Sequence, residues 1–329
     1  MSYIEFPFND KTLKIDSYLA KALMSIAYNL RPPKDTDFVI IVSGSRKVRI
    51  GKSTMGLIVA AYLAYLFKMM KLNDNAFSIG NMFWEAKDMM DEVLKRQEHR
   101  AVYIYDEARE GLQANKKSAI QMELLDFFNE VGQLNNVYIL CISDYFILKE
   151  EIAVGRAELL INVYKDYVDR ECDLFDDGIK VTVTDFKLGN FKLYNDGAKN
   201  MMYDIYRNTH NKNYNSVRPT FPPGKFERDL PINEAEYREM KLKALMRFKQ
   251  KQDEKKVSKV KAVEIKGIRE RKAEERVGIL VEAMIKKGIP QSEIGALIDM
   301  APSGVSVIKK KRMSIFDNKP GYFTSEPIE

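Results

Sequence analysis

The sequence predicts an α/β fold built on a mostly parallel sheet, followed by an all-α module towards the carboxyl end. Three observations predict it. Between residues 37 and 164, short β-branched runs alternate with longer helical patterns, the texture of strands joined by crossover helices. A glycine-bearing loop separates the first of those strands from the first helix. Beyond residue 231 the β-branched runs cease and charged helical sequence takes over.

The predicted strands are 38–42 (FVIIV), a weak one near 76–79, 101–105 (AVYIY), 137–142 (VYILCI) and 159–164 (LLINVY). Helical patterns fill the intervals at 53–70, 82–96, 119–131 and about 145–154. Residues 180–185 (KVTVTD) and 190–194 (NFKLY), separated by FKLG, predict a β-hairpin appended to the sheet. Residues 208–231 are rich in Asn and Pro and read as an extended linker. Residues 233–276 read as a charged helix that projects from the body, with no sustained apolar stripe beyond Tyr237, Leu242, Leu245, Met246 and Phe248. From 277 to 312 a compact helical pattern returns, with Pro290 at one helix start and Pro302 opening a second. The expected organisation is an N-terminal segment 1–36, an α/β domain with its hairpin 37–207, a linker and basic helix 208–276, a helical module 277–312 and a tail 313–329.

Composition narrows the function classes. With 329 residues, 45% hydrophobic and 30% charged, the chain can build two or three ordinary soluble domains. Its start, MSYIEFPFNDKTLKID, mixes charged and apolar residues, so a cytoplasmic protein is expected rather than a secreted one. The longest apolar run, LIVAAYLAYLF at 57–67, is too short for a membrane span and predicts a buried helix. Cys141 and Cys172, with His99 and His210, offer neither zinc-ligand spacing nor a disulfide framework. The net charge of +6 conceals an asymmetry: residues 237–312 carry 21 Lys and Arg against 10 Asp and Glu, a net +11 that leaves −5 for the rest. Localised positive charge is the footprint of a nucleic-acid contact, although a solvated helix face gives the same count.

Residues 40–54 read IIVSGSRKVRIGKST, a buried strand, a glycine loop, then Gly-Lys-Ser-Thr opening a helix. Phosphates need converging backbone N–H groups, which glycine curvature and a helix start supply. Gly44, Ser45, Arg46, Gly51, Lys52, Ser53 and Thr54 are therefore the candidate phosphate cradle, with Lys52 on the β- and γ-phosphates of ATP and Ser53 on Mg²⁺. The usual loop has four residues between its glycines, whereas six lie between Gly44 and Gly51. Either the loop bulges or Arg46 takes the place of the first glycine. After AVYIY come Asp106 and Glu107, where a carboxylate can hold Mg²⁺ through its water shell and a second can act as general base. Ser143, at the end of VYILCI, could sense the γ-phosphate or merely cap the next helix. Arg156 could reach a neighbouring subunit's γ-phosphate or be a surface arginine at a helix end.

SGSRKVRIGKST, VYIYDEA and YILCISDYFILKEEIAVGRAELLINVYKD, in this order and spacing, resemble the additional-strand P-loop ATPases, in which a strand lies between the two nucleotide motifs. Within them the pattern is similar to the FtsK/HerA-type DNA pumps and the zonula-occludens-toxin-like and packaging ATPases of viruses and mobile elements. The resemblance covers about residues 38–164, under half the chain. It implies Lys52 and Ser53 on phosphate and Mg²⁺, Asp106 on Mg²⁺, Glu107 as catalytic base and Arg156 as a trans-acting finger in a ring.

Residues 291–308 read QSEIGALIDMAPSGVSVI. Ile294, Leu297 and Ile298 share a predicted helix face, Gly295 permits close approach, and Val305 and Ile308 would anchor a second helix. The spacing resembles the helix-turn-helix units of transcriptional regulators and recombinases, with Asp299 standing where a turn glycine is common. Ser303, Ser306 and Lys309 are then the candidates for base edges, and Lys310, Lys311 and Arg312 for phosphates. A hairpin that packs on the ATPase body or drives oligomerisation is the alternative. The expectation is an oligomeric ATPase, a motor or switch acting on double-stranded DNA in viral or plasmid packaging, replication or transfer. A partition- or transposition-control ATPase whose oligomeric state is switched by ATP is the runner-up. A small-molecule kinase, which shares the loop, lacks an evident lid and does not account for the basic module.

Overall fold

In the computed structural model, which describes residues 2–34, 36–44, 50–106, 119–173, 180–227 and 229–317, the chain opens on a hairpin of β1 (Tyr3–Phe8) and β2 (Lys11–Asp16). Asp16 caps α1 (Ser17–Asn29), its carboxylate accepting from the N–H groups of Tyr18 and Leu19 at 2.9 and 3.3 Å. Next come β3 (Phe38–Gly44), α2 (Lys52–Met69), β4 (Met82–Phe83), α3 (Ala86–Arg96), β5 (Val102–Tyr105), α4 (Ala119–Glu130), β6 (Val137–Cys141), α5 (Glu150–Ala153), β7 (Ala157–Asp173), β8 (Lys180–Asn195), α6 (Asp196–Thr209) and β9 (Gly224–Lys225).

The main sheet has the strand order β4-β5-β6-β3-β7-β8-β9. From β4 to β7 neighbours are parallel, while β8 and β9 add on antiparallel. Central strands are buried on both faces, which is why FVIIV, AVYIY and VYILC read as unbroken apolar runs. On one face Ile40, Val42, Ile104 and Ile139 meet α2; on the other Val39, Ile41, Tyr103 and Leu140 meet α3 and α4. The terminal hairpin and α1 cover the far side of α2, with Phe6 edge-on to Tyr62 at 5.0 Å. That sandwiching explains LIVAAYLAYLF: Leu57, Val59, Leu63 and Phe67 are all fully buried, each contributing roughly 1.5–3 kcal/mol.

Several expectations are corrected. Within the expected N-terminal segment 1–36, the hairpin and α1 pack into the core of the α/β body through Phe6, Leu13, Leu19 and Leu23. The weak strand near 76–79 is displaced: Ala76 O accepts from Val102 N, but the edge strand itself is Met82–Phe83, and the following helix accordingly starts at Ala86. The helix expected over 145–154 is broken at Leu148, whose backbone is extended, into a 3-10 turn Tyr145–Ile147 and the single turn of α5. The hairpin expected within 180–194 is one continuous strand, β8, paired with β7 from Leu159↔Asn195 to Asp173↔Lys180. Gly189, at φ +85°, sits in a bulge where the register shifts between Tyr164 and Asp166, so FKLG mimics a turn without making one.

Within 208–231, expected as an extended linker, residues 220–226 form a strap along β8. Thr220 N donates to Leu193 O at 2.8 Å, Phe226 N to Gly189 O at 2.7 Å, and Phe221 stacks on Tyr18 at 5.3 Å.

The chain divides into two compact units, Met1–Leu242 and Lys243–Glu329. Helix α7 (Glu234–Lys286) begins in the first and ends in the second. In the second, the end of α7, α8 (Gln291–Leu297) and α9 (Pro302–Asp317) pack around Val281, Ile294 and Val305, with Ile298 and Ile308 at the margin. Asp299 takes the left-handed conformation at φ +51°, so aspartate serves in the turn where glycine is the expectation. Gly295 lies against Met300 O too closely for a Cβ, which explains its size. Leu297 is 64% exposed and does not share the buried face assigned to it. Among the described residues no helix is long and apolar enough to cross a membrane.

Candidate functional site

The site lies at the carboxyl edge of the sheet, where β3 ends at Gly44 and α2 starts at Lys52. A Cβ at Gly44 would meet the Ile50 side chain and lie 2.7 Å from Val163 O, so only glycine lets the loop leave the strand here. Gly51 caps α2 at φ +96°, a conformation glycine adopts freely. Ser53 sits in the first turn of α2, and Asp106 directly follows β5. Their strands are not neighbours, since β6 lies between β3 and β5. Even so, Ser53 Oγ is 2.9 Å from both carboxylate oxygens of Asp106, sharing its proton between them. Asp106 is almost wholly buried, and a buried carboxylate needs such donors.

The strand order, with β6 between β3 and β5, is the one expected of the additional-strand P-loop fold. No protein-family model matches the chain, and no curated protein matches it. Among solved structures it is similar to the N-terminal domain of zonular occludens toxin from Neisseria meningitidis, at 11% identity over 49% of this chain and 84% of that one, with a TM-score of 0.28. It is also similar to the genome packaging NTPase B204 from Sulfolobus turreted icosahedral virus 2 in complex with ATP-gammaS, at 16% identity over 50% and 94% of the two chains, TM-score 0.30. A further match is B204, the DNA-packaging ATPase from Sulfolobus turreted icosahedral virus, at 16% identity over 50% and 95%, TM-score 0.29.

The structure brings Gly44, Gly51, Lys52, Ser53, Thr54 and Asp106 to one edge. Ser45 and Arg46, in the loop, and Glu107, after Asp106, lie outside the described residues. A hydroxyl and a carboxylate are hard oxygen donors of the kind Mg²⁺ accepts. No group of three or more His, Cys, Asp or Glu side chains that could hold a metal occurs among the described residues; a divalent ion at Ser53 and Asp106 would take its remaining oxygens from water or from a ligand. Behind the pair, the Cys141 thiol is pushed up by burial and by the charge of Asp106, consistent with an inert packing role. Gly56 lets α2 rest on it, since a Cβ there would lie 2.7 Å from Cys141 Sγ.

Three groups at this edge have no local sequence signature. Phe226, delivered by the strap, packs on Gly51. At the root of α7, Lys241 Nζ lies 3.4 Å from Asp106 Oδ2 and 3.4 Å from the Tyr237 hydroxyl. Burial chiefly, then the charge of Asp106, raises the Tyr237 phenol above its ordinary value, while Lys241 and Ser53 pull it back. On the opposite face of the sheet, the Tyr214 hydroxyl accepts from Tyr145 N at 2.8 Å and lies 3.1 Å from Ser43 Oγ, one residue before Gly44. Lys212 Nζ reaches Asp144 Oδ2 at 3.4 Å.

The remaining candidates fall at three other places. Ser143 lies in the bend after β6, and its neighbour Asp144 does the capping, accepting from Phe146 N at 3.2 Å. Arg156 stands at the start of β7, at the amino end of the sheet, where it donates to Asp37 Oδ2 at 3.1 Å. It is thus remote from the phosphate edge of its own chain, because β7 runs parallel to β3 and both begin at that far end. On α9, Ser303 and Lys310 are exposed and Ser306 and Lys309 half-buried; Lys311 and Arg312 fall in the same helix, their side chains outside the described residues.

Proposed function

We propose that the chain is an ATPase that acts on double-stranded DNA as an oligomer, in the packaging, replication or transfer of a viral or plasmid genome. The observation that carries the nucleotide part is the Ser53–Asp106 contact across β6, at the amino end of an 18-residue helix preceded by a glycine loop. The backbone N–H groups of the first turn of α2 and the helix dipole favour an anion there. Lys52 adds a fixed positive charge for the β- and γ-phosphates, and Ser53 and Asp106 would hold Mg²⁺. When bound, Mg²⁺ supplies charge neutralisation on the phosphate oxygens. Glu107, next in the chain, takes the proton of the attacking water. The DNA part is supported by the net +11 over residues 237–312 and by the exposed Ser303 and Lys310 on a helix that comes after a tight turn.

The test is ATP hydrolysis with and without double-stranded DNA, read beside mass in solution. Hydrolysis that DNA stimulates, in a protein larger than a monomer, is expected, and Lys52→Ala should abolish ATP binding. A wild-type protein that binds no ATP by calorimetry would overturn the reading.

A further inference from the structure

The root of α7 is built to reach the same carboxylate. Asn233 caps the helix, accepting from Ala235 N at 2.9 Å, and Tyr237, half-buried, packs against the first core. Lys241 follows Tyr237 by one helical turn and so shares its face, which points its ammonium at Asp106 Oδ2. Lys241 meets Asp106 and the Tyr237 hydroxyl beside the start of α2, where the backbone oxygen of Lys52 lies 3.8 Å from Cys141 Sγ.

Two features mark the Lys241 contact as displaceable. At 3.4 Å it is longer than the 2.7–2.9 Å of a tight charge-assisted hydrogen bond, and the Lys241 side chain is 31% exposed, so water can replace it. Asp106, by contrast, is held in place by β5 and by its own N–H donating to Phe83 O at 2.8 Å. A divalent cation at Ser53 and Asp106 would require the hydroxyl to turn its proton away and would repel an ammonium held at this distance.

We propose that Lys241 stands in for the divalent cation at Asp106 and is displaced when the metal arrives with nucleotide, so that the first turns of α7 are docked in the empty site and released in the loaded one. The inference rests on the nucleotide reading of the site and adds its regulation. The root of α7 is a latch whose key is the metal, not the nucleotide alone.

Three measurements on the full chain test it. Hydrogen exchange over residues 234–242 should be slow in the free protein, faster with ATPγS and Mg²⁺, and unchanged with ATPγS in EDTA. Asp106→Asn, which removes the carboxylate charge, should speed the same amides without any nucleotide. By calorimetry, Lys241→Met should bind ATPγS with Mg²⁺ about tenfold more tightly than wild type while its affinity in EDTA stays level, and Lys241→Arg should stay near wild type, since it keeps the competing charge. If Mg²⁺ and ATPγS bind but leave the exchange of 234–242 unchanged, or if Lys241→Met binds no better, the latch is wrong and the nucleotide site stands. Weaker binding by Lys241→Met would make Lys241 a phosphate ligand instead. Absence of ATPγS binding to wild type overturns both readings together.

Discussion

The ring of Phe226 lies over Gly51, with Cζ 2.9 Å from where a Cβ on that glycine would stand. Two residues 175 positions apart are thereby matched: the loop can turn into α2 because position 51 has no side chain, and the strap can close over it for the same reason. Gly51→Ala meets both a left-handed backbone, at about 1–2 kcal/mol, and the phenyl ring. A loss of roughly 2–3 kcal/mol in urea denaturation is expected. Adding Phe226→Leu should recover the ring's share and leave the backbone's; a double mutant no better than the single would show that the ring is not the obstacle.

Removing Glu107, the proposed general base, should separate binding from turnover. Glu107→Gln is expected to bind ATP as wild type does and hydrolyse it at least ~100-fold more slowly. Normal turnover by that variant would remove Glu107 from the mechanism.

Arg156 should matter for stability more than for chemistry in its own subunit. Asp37 is 9% exposed at its side chain and loses a charged partner in Arg156→Ala, an expected destabilisation of about 1–3 kcal/mol with ATP affinity unchanged. If instead stability holds and turnover drops, and mixing with Lys52→Ala protein restores part of it, the arginine acts across a subunit boundary.

Alkaline pH should unfold the first unit. Tyr103, Tyr138, Tyr145 and Tyr194 are fully buried, and burial raises each phenol above its ordinary value of 10.0. The unfolded chain ionises these phenols near pH 10 and the folded one does not, so the unfolded state binds fewer protons above that pH. Stability is then intact below about pH 10 and falls by roughly 1.4 kcal/mol per pH unit per tyrosine above it. Urea midpoints measured beside tyrosinate absorbance check this; tyrosinate that forms without unfolding would mean that the phenols are accessible.

A chain ending at Leu242 keeps the whole first unit, including Tyr237 and Lys241. It is expected to bind ATP as the full chain does and to lose most DNA affinity. In the full chain, Lys309→Ala with Lys310→Ala should weaken DNA binding at all sequences and flatten the salt dependence by about one unit per lost phosphate contact. Full affinity in the truncated protein would move the DNA contact to the α/β body.

The parts of the fold that are legible in the sequence are those with local cause. β3, β5 and β6 are apolar on both faces, and Gly51-Lys52-Ser53 opens a helix, so their existence and order come from short windows of sequence. The position of Asp106 at the end of a strand marks it as a candidate site residue, and strand order then brings it to Ser53. What stays hidden is set by distant partners. FKLG resembles a turn, and only pairing with β7 makes it a bulge. The 208–231 stretch reads as a linker because Asn and Pro dominate it, although Tyr214, Phe221 and Phe226 are aromatic anchors in plain view. Lys241 is one lysine in a charged helix, and nothing within a helical turn of it encodes an aspartate 135 residues away. Ser143 and Asp144 both come after the strand, and Asp144 is the one turned inward, held by Phe146 N and by Lys212 from the distant 208–231 stretch.

That β6 separates β3, which leads to Ser53, from β5, which leads to Asp106, has a consequence for synthesis. On the ribosome, β3, α2 and β5 emerge first, yet their two site residues cannot be brought into register until β6 has been added and has inserted between them. A nascent chain halted before Val137 therefore has both residues without the strand that sets their spacing. The contact is therefore set by an internal strand that closes the gap, ahead of β7 and β8, which extend the sheet on the other side of β3.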